Sequence, residues 1–314
     1  MEIKAIFKKH GGFSLIKNLT RNGILLYAIY LFLVLPKRKK GLEILRELLD
    51  IKFHKKLEKK YANLIKEKYE ILKNYKESEK DKVIWFCWLQ GIENAPLLVK
   101  CCYESIKKIC MDYKIIVITS ENLKDYTNLP DFIVSKWEKG FISNTHFSDI
   151  LRTNLLVENG GTWIDSTVLL TGKIPLDIEN APLFMFRTYK PGVDGKCIDV
   201  SSWFLSSCRK NRILLLVQEL LFSYWEKHNW LCDYFLFHHF VQIALEVFSD
   251  ESNIIPKYTN ETPHFMLFEL GKDFNEKRYN SILSQSFCHK LTYKLPAEQI
   301  SKKMTFYKKL LELY

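Results

Sequence analysis

The chain has 314 residues, of which 47% are hydrophobic and 14% aromatic, and this supplies the core of one large domain with an appendage. The net charge of +11 is concentrated in residues 1–60, which hold 15 Lys and Arg against 5 acidic residues, while residues 61–314 hold 32 against 31. A nucleic-acid-binding domain would carry a basic stripe on its folded body, so the near-neutral body argues against that class.

The N-terminal segment combines basic residues with a short apolar run. Residues 1–22 are basic, the 13 residues from Gly23 to Leu35 are almost entirely apolar, and a basic cluster follows at residues 37–40. A helix needs ~20 apolar residues to span a bilayer, so this run is too short. Two interpretations remain, a buried core helix or an interfacial anchor attracted to anionic lipid. The charge asymmetry favours the anchor, and we expect attachment to the inner face of the cell membrane.

The pattern of residues 41–80 predicts one or two amphipathic helices. The segment lacks proline, and its apolar residues recur every three or four positions, at Leu45, Leu49, Phe53, Leu57, Tyr61, Ile65, Tyr69 and Leu72. We therefore predict a basic helical extension over residues 1–80, followed by the main folded domain over residues 81–314.

The body opens with a pattern typical of a parallel sheet. An apolar strand from Val83 is followed by a helix over residues 96–109 and a second strand over residues 114–119. Ligands of such sheets bind beyond the carboxyl ends of the strands. We therefore expect Trp88 and Gln90, which follow the first strand, to lie at a bound ligand, although Trp88 would equally serve as a core aromatic.

The most informative stretch runs from residue 144 to residue 171. It begins with an amphipathic helix in which Ser148 is a candidate N-cap, and it breaks at Gly160 and Gly161. Residues 162–170 are rich in β-branched and aromatic side chains and predict a single buried strand. A lone carboxylate, Asp165, lies in the middle of that strand.

Burying an ionised carboxylate is costly unless a cation or several donors compensate for it. Asp165 is therefore either the cap of the turn formed with Ser166 and Thr167, or a ligand of a divalent metal that also binds phosphates. On the preceding helix, His146, Asp149 and Arg152 are spaced to share one face. Asp149 and Arg152 form only a surface ion pair, or the three residues form the wall of a polar pocket.

The rest of the body contributes fewer candidates. Strands are expected over residues 183–186 and 201–206, a mobile loop over 190–196, and a helix from Asn211 to about residue 228. Asp233 precedes an aromatic helix, and its position indicates a helix cap. His238 and His239 are interpreted as helix residues, because no third ligand is spaced with them.

The eight cysteines point to no local metal motif. None of them forms a C-x-x-C pair, so neither a zinc ribbon nor a thioredoxin-like site is indicated. Several lie in apolar runs, where a free cysteine behaves as a small hydrophobe. A reducing cytoplasm is the simplest compartment for such a chain.

The block S-D-I-L-R-x-x-L-L-x-x-x-G-G-x-W-I-D-S-T-V at residues 148–168 resembles the signature of the capsular polysaccharide synthesis protein family. The likeness extends from residues 84–91 to residues 289–294. These proteins are similar to the sugar-nucleotide glycosyltransferases whose sugar-binding region carries a DXD motif. The resemblance implies a GT-A-like, Rossmann-like α/β fold, a mixed sheet flanked by helices.

The resemblance also implies an activity. The chain would transfer a hexose, with retention of configuration, from a nucleotide-diphosphate sugar, expected to be a UDP-sugar. The acceptor would be a capsular or lipopolysaccharide glycan or its lipid-linked precursor. The implied catalytic residues are Asp165 and Asp233. The implied donor-binding residues are Trp88, Gln90, Asp149, Arg152 and Lys290. The implied ligands of Mn²⁺ or Mg²⁺ are Asp165, Thr167 and His289.

One departure from the family pattern leaves an alternative open. The DXD motif has two carboxylates, whereas this chain has Asp165, Ser166 and Thr167. The loss of one carboxylate puts metal dependence in question. The alternative is a non-catalytic, membrane-associated scaffold of a polysaccharide assembly complex.

Overall fold

The computed structural model describes residues 13–76, 78–189 and 197–314, so the predicted loop at 190–196 lies outside the described residues. Its helices are α1 Phe13–Arg21, α2 Leu25–Val34, α3 Lys39–Leu72, α4 Leu97–Ile109, α5 Leu123–Tyr126, α6 Asp131–Glu138, α7 Asn144–Asn159, α8 Leu176–Asn180, α9 Arg212–Lys227, α10 Leu236–Val247, α11 Ser249–Asn253, α12 Glu276–Leu283, α13 Ala297–Ser301 and α14 Phe306–Leu313. Its strands are β1 Val83–Cys87, β2 Lys114–Ile118, β3 Gly161–Ile164, β4 Val168–Leu170, β5 Leu183–Arg187, β6 Val200–Ser207 and β7 Cys288–Lys290.

Five strands form a mixed sheet in the order β2-β1-β3-β6-β5. Strand β1 is parallel to both β2 and β3, whereas β6 runs antiparallel to β3 and to β5. The remaining strands, β4 and β7, form a separate antiparallel pair. The prediction of a mixed α/β sheet flanked by helices, with an N-terminal helical extension, is confirmed.

The central strand β1 divides the core into two layers. Trp85 packs into the cluster that contains α7, α9 and α10, while its neighbours Ile84 and Phe86 pack into the cluster on the other face of the sheet. This alternation follows from the two-residue period of a strand. Because both faces of β1 are covered, the strand is buried, and only its carboxyl end is left to meet a ligand.

The central helix α7 begins earlier than the sequence predicted. Its N-cap is Ser143, whose side chain accepts a hydrogen bond from the backbone N–H of His146 at 3.3 Å. Ser148 instead lies in the second turn and donates to the backbone carbonyl of Thr145. The prediction was wrong because the apolar face starts at Phe147, inside the helix, while its first turn is polar.

The predicted single strand over residues 162–170 is two strands. A turn over Asp165, Ser166 and Thr167 separates β3 from β4, and the N–H of Val168 donates to the carbonyl of Asp165 at 3.0 Å. The two strands join different sheets, β3 the five-stranded sheet and β4 the pair with β7. Asp165 therefore follows the carboxyl end of β3 instead of lying within a strand.

The extension is anchored by the long helix α3. The predicted apolar stripe is buried at Phe53, Leu57, Tyr61 and Leu72, and these residues belong to the same core cluster as α9 and α10. Tyr61 contacts Phe240 edge-on with ring centroids 5.4 Å apart. In the described part of the chain, no helix is both long enough and apolar enough to cross a bilayer.

The junction between α7 and β3 depends on two glycines. Gly160 and Gly161 have φ values of +67° and +95°. A side chain at Gly161 would place its Cβ 2.6 Å from the backbone oxygen of Val83 on β1, which cannot move without disturbing the sheet. This close approach brings the end of α7 directly into the sheet.

We expect Gly161→Ala to lower the free energy of unfolding by about 3 kcal/mol, because backbone strain and a clash with the sheet add together. The matched control is Gly140→Ala, where φ is +76° but no atom lies within 4 Å of the added Cβ. That change should cost only about 1 kcal/mol of strain. Urea denaturation measures both variants, and equal losses would contradict the packing argument.

Candidate active site

The fold brings residues from three separate elements to one edge of the sheet. Asp165 follows β3, Arg152 extends from α7, and Lys290 ends β7, which pairs with β4 so that Lys290 lies opposite Val168. This is the edge at which the parallel strands β1 and β3 end, where ligands of α/β sheets bind. The sequence separates Lys290 from Asp165 by 125 residues.

Asp165 has partners on both carboxylate oxygens. Its Oδ1 accepts a hydrogen bond from the indole Nε1 of Trp163 at 2.8 Å and lies 3.3 Å from Nη2 of Arg152. Its Oδ2 accepts from Nζ of Lys290 at 2.8 Å. The side chain keeps 22% of its surface exposed, so it lies at the floor of an open site.

The charge of Asp165 is set by these partners. Burial opposes ionisation, but the positive charges of Lys290 and Arg152, with the hydrogen bonds from Lys290 and Trp163, hold the pKa of Asp165 below its usual value. The carboxylate is therefore ionised at neutral pH, and it fixes the position of two cations.

Lys290 is the cation that faces solvent. Its Nζ donates to Oδ2 of Asp165 at 2.8 Å and to Oγ1 of Thr167 at 2.7 Å, and its side chain is 21% exposed. An ammonium group has three donors, so one of them is left for a ligand. The arrangement presents a fixed positive charge with a free N–H at the edge of the sheet.

Arg152 and Asp149 lie behind this position and are buried. The guanidinium donates to the backbone oxygen and the hydroxyl of Ser148, at 3.1 and 3.0 Å, and to the carbonyl of Ser202. It also lies 3.4 Å from Asp149 and covers the ring of Trp163. Since its donors are largely used within the protein, Arg152 holds Asp165 in place instead of reaching out to a ligand.

The predicted metal ligands are not assembled around one point. The ammonium of Lys290 lies between Asp165 and Thr167, where a shared cation would have to bind. His289 precedes Lys290 on β7 and so points to the other face of the strand, where its Nε2 lies 3.1 Å from Oγ1 of Thr171. Hard divalent ions need several oxygen ligands, and here the carboxylate of Asp165 is already shared by two cations. As arranged here, Asp165, Thr167 and His289 therefore do not form a binding site for Mn²⁺ or Mg²⁺.

The predicted nucleotide residues lie beside this network. Cys87, which ends β1, is close enough for the charges of Arg152 and Asp165 to act on its pKa. Trp88 follows it and packs edge-on against Tyr293, with ring centroids 5.7 Å apart. Its indole N–H is buried without a hydrogen-bond partner. Gln90, two residues further along the chain, is exposed to solvent. Tyr293 was not predicted, because no local pattern marks it.

Asp233 lies in a different environment. Its Oδ1 accepts a hydrogen bond from the N–H of Phe235 at 2.7 Å, just before α10, and burial raises its pKa. Its charge acts on Asp50 of α3, whose pKa is raised to about 7 by burial and by Asp233. No contact in the described residues joins Asp233 to Asp165. This contact is a turn interaction two residues ahead of Phe235, which is the N-cap of α10 and has no side-chain cap bond. Asp233 is therefore not the N-cap of α10, and its catalytic role stays a prediction.

One functional candidate was missed in the sequence. His238 is close enough to Asp149 and Arg152 for their charges to act on it, and burial lowers its pKa to about 4. It is therefore a neutral imidazole behind the site. The sequence offered no signal, because the residues around His238 come from another helix.

A separate cleft of about 400 Å³ opens near β5, lined in part by Thr171, Phe186, Tyr258 and Phe287. None of the predicted site residues lines it. The polar network around Asp165 is therefore the better candidate for chemistry.

Buried histidines make the free energy of unfolding depend on pH. His289 is fully buried, and burial lowers its pKa from 6.5 to about 4. Between these values the unfolded chain binds a proton that the folded chain does not, so stability falls as the pH falls from 6.5 towards 4. This group alone accounts for about 3 kcal/mol. His289→Gln should flatten this part of the profile, measured by urea unfolding across that range, whereas an unchanged slope would refute the assignment.

Comparison with known proteins gives the family. A sequence model described as capsular polysaccharide synthesis protein matches residues 38–310. Among solved structures, the PaToxG glycosyltransferase is 15% identical with a TM-score of 0.38, covering 85% of this chain and 98% of that one. A transferase with two cysteine-to-serine substitutions is 12% identical with a TM-score of 0.36, covering 59% and 94%. No curated protein sequence matches the chain. Since the family match spans most of its length, the chain belongs to the capsular polysaccharide synthesis protein family.

Proposed function

We propose that this protein is a glycosyltransferase that moves a hexose from a nucleotide-diphosphate sugar, most simply a UDP-sugar, to a capsular or lipopolysaccharide glycan or its lipid-linked precursor. The observation that carries the proposal is Lys290, a cation fixed by Asp165 and Thr167 at the edge of the sheet, with one donor free. Family membership supports the same class of reaction.

The difficult step in such a transfer is departure of the nucleotide diphosphate. Negative charge develops on the phosphate while positive charge builds on the anomeric carbon. A donor that is already in place stabilises this charge without a cost of reorganisation. Lys290 supplies that donor, because its two hydrogen bonds to Asp165 and Thr167 orient the third N–H. Arg152 in turn holds Asp165.

This arrangement assigns to Lys290 the role that a divalent ion has in enzymes with two carboxylates. The proposed transfer therefore proceeds without added Mn²⁺ or Mg²⁺. The exposed side of Trp88, with Tyr293, offers an aromatic surface for the base of the nucleotide. Retention of the anomeric configuration, implied by the family resemblance, is tested by the stereochemistry of the product.

The first test measures release of nucleotide from a panel of nucleotide-diphosphate hexoses. Asp165→Asn removes the charge that holds Lys290, and Lys290→Met removes the donor itself. We expect each variant to lose about 10²–10³-fold in turnover, as other electrostatic sites do. The matched controls are Glu104→Gln and Lys107→Met, an exposed ion pair on α4 whose loss should leave turnover unchanged.

Two outcomes would contradict the proposal. If the wild-type chain releases nucleotide from no donor in the panel, with or without a lipid-linked acceptor, the scaffold alternative is favoured. If folded Asp165→Asn or Lys290→Met turns over at the wild-type rate, the chemistry takes place elsewhere.

A second part of the proposal concerns location, at the inner face of the cell membrane. Helix α2 buries only Ala28 and Leu31, and it exposes most of its large apolar side chains, with Leu26 at 82% and Leu33 at 70%. This exposure contradicts the buried-helix interpretation. A soluble surface rarely leaves such an apolar patch uncovered.

The occupant that best fits this patch is anionic lipid. Residues 37–40, which are all basic and exposed, follow α2 directly. Each basic side chain near an anionic surface contributes about 1 kcal/mol, and a second signal makes apolar insertion stable. Such attachment would keep the transferase site close to a lipid-linked acceptor.

Co-sedimentation with vesicles tests this attachment. Binding should rise with the fraction of anionic lipid and fall with salt, because exposed charges are screened. Leu26→Asp and Leu33→Asp should each weaken binding about tenfold or more, since a leucine inserted in lipid contributes about 1.5–3 kcal/mol. The control is Leu176→Asp, an equally exposed leucine on α8. Failure of the full chain to bind anionic vesicles at low salt would rule out the anchor.

A further inference from the structure

A second polar cluster lies on the other side of α10. Consecutive residues of a helix point about 100° apart, so His238 and His239 face different neighbours. His238 faces the network of Asp149 and Arg152, whereas His239 faces α3 and packs against Phe53 with ring centroids 5.1 Å apart. His239 is completely buried and takes no part in the proposed transferase site.

Three metal-ligand side chains converge beside His239. Its Nδ1 lies 3.2 Å from Nδ1 of His54, which is also buried. Cys197, in the segment before β6, joins them, and one ligand atom from each of the three residues lies within 4.8 Å of the others. His54 lies on α3 of the extension, His239 on α10 and Cys197 in the segment before β6. These three residues are far apart in the sequence, and tertiary packing brings them together.

The distance between the two imidazoles suits a shared ion. Ligands held at 2.0–2.1 Å in a tetrahedral zinc site lie roughly 3.4 Å from one another. A direct hydrogen bond would also account for this one contact. It would leave unexplained the position of Cys197, whose sulfur lies within 4.8 Å of a ring nitrogen of each histidine.

The surroundings of the cluster are acidic. The thiol of Cys197 faces Asp50 and Glu47 of α3, as well as Glu246 and Glu58, and burial with these charges raises its pKa to about 12. At Asp50, the positive charge of Arg46 opposes the effect of the neighbouring carboxylates and lowers the pKa. A bound cation would offset the remaining negative charge.

Two carboxylates also occupy the outer positions expected around such a site. Nε2 of His54 lies 3.7 Å from Glu246 and 3.9 Å from Glu58. A histidine that binds a metal through one nitrogen commonly directs the other N–H to a carboxylate, which fixes the ring. Glu246 and Glu58 are placed to do this for His54.

We propose that His54, Cys197 and His239 bind one divalent transition-metal ion of the zinc class, with Glu246 orienting His54 and a solvent molecule completing the coordination. Thiolate and imidazole are the ligands that zinc prefers. Binding would release the thiol proton of Cys197 to solvent. The ion would join the helical extension to the body, and this role is independent of the proposed transferase reaction.

Cobalt provides the probe. The full chain, stripped of metal with a chelator and dialysed, is titrated with Co²⁺, whose bond to a thiolate gives a charge-transfer band in the near ultraviolet. We expect one equivalent to bind with that band, Zn²⁺ to displace it, and the melting temperature to rise with metal. Cys197→Ser should abolish the band, whereas Cys110→Ser, at a buried cysteine outside the cluster, should keep it.

Glu246→Gln adds a variant that keeps all three ligands. Loss of an outer carboxylate typically weakens metal affinity about 10–100-fold, and we expect a loss in that range with the band retained. Absence of stoichiometric Co²⁺ binding, or a charge-transfer band that survives in Cys197→Ser, would overturn the proposal. Because the readout is spectroscopic, its outcome is independent of whether the protein turns over any sugar nucleotide.

Discussion

The partly buried carboxylate of Asp165 is the constraint on which the candidate site depends. An ionised carboxylate inside a protein is stable only when cations or donors compensate for its charge. Here Lys290, Arg152 and the indole of Trp163 do so, and they tie β7, α7 and β3 to one point. The same contacts orient the free donor of Lys290. The contacts that stabilise the charge of Asp165 are therefore the same contacts that position Lys290 in the site.

Helix α10 lies between two polar clusters of opposite character. Towards the sheet edge, His238 lies behind a network in which two carboxylates are balanced by two cations, Arg152 and Lys290. Towards α3, His239 lies in a region where acidic groups predominate. The two proposals match this contrast, because the first cluster is proposed to bind the phosphates of a sugar nucleotide and the second a metal cation. The neighbouring histidines thus have different surroundings, because consecutive residues of a helix point in different directions.

The N-terminal extension has two helices with different energetics. Helix α3 buries Phe53, Leu57 and Tyr61 in the core of the body, so its position is fixed by the same apolar burial that stabilises the sheet. Helix α2 leaves Leu26 and Leu33 in solvent and is followed by exposed basic residues. The first is part of the globular fold, and the second presents an exposed apolar surface.

The sequence by itself determined most of the elements and the family, because periodicity and turn residues act locally, but it merged β3 and β4 into one strand. It predicted α7, β1 and β2, the break at Gly160, and the face shared by Asp149 and Arg152, but it placed the start of α7 too late. Tertiary structure alone decided which residues meet. Pairing of β4 with β7 brings Lys290 to Asp165, and packing of α3 on α10 brings His54 to His239. Such contacts depend on strand order and helix packing, and no local pattern in a single sequence encodes them.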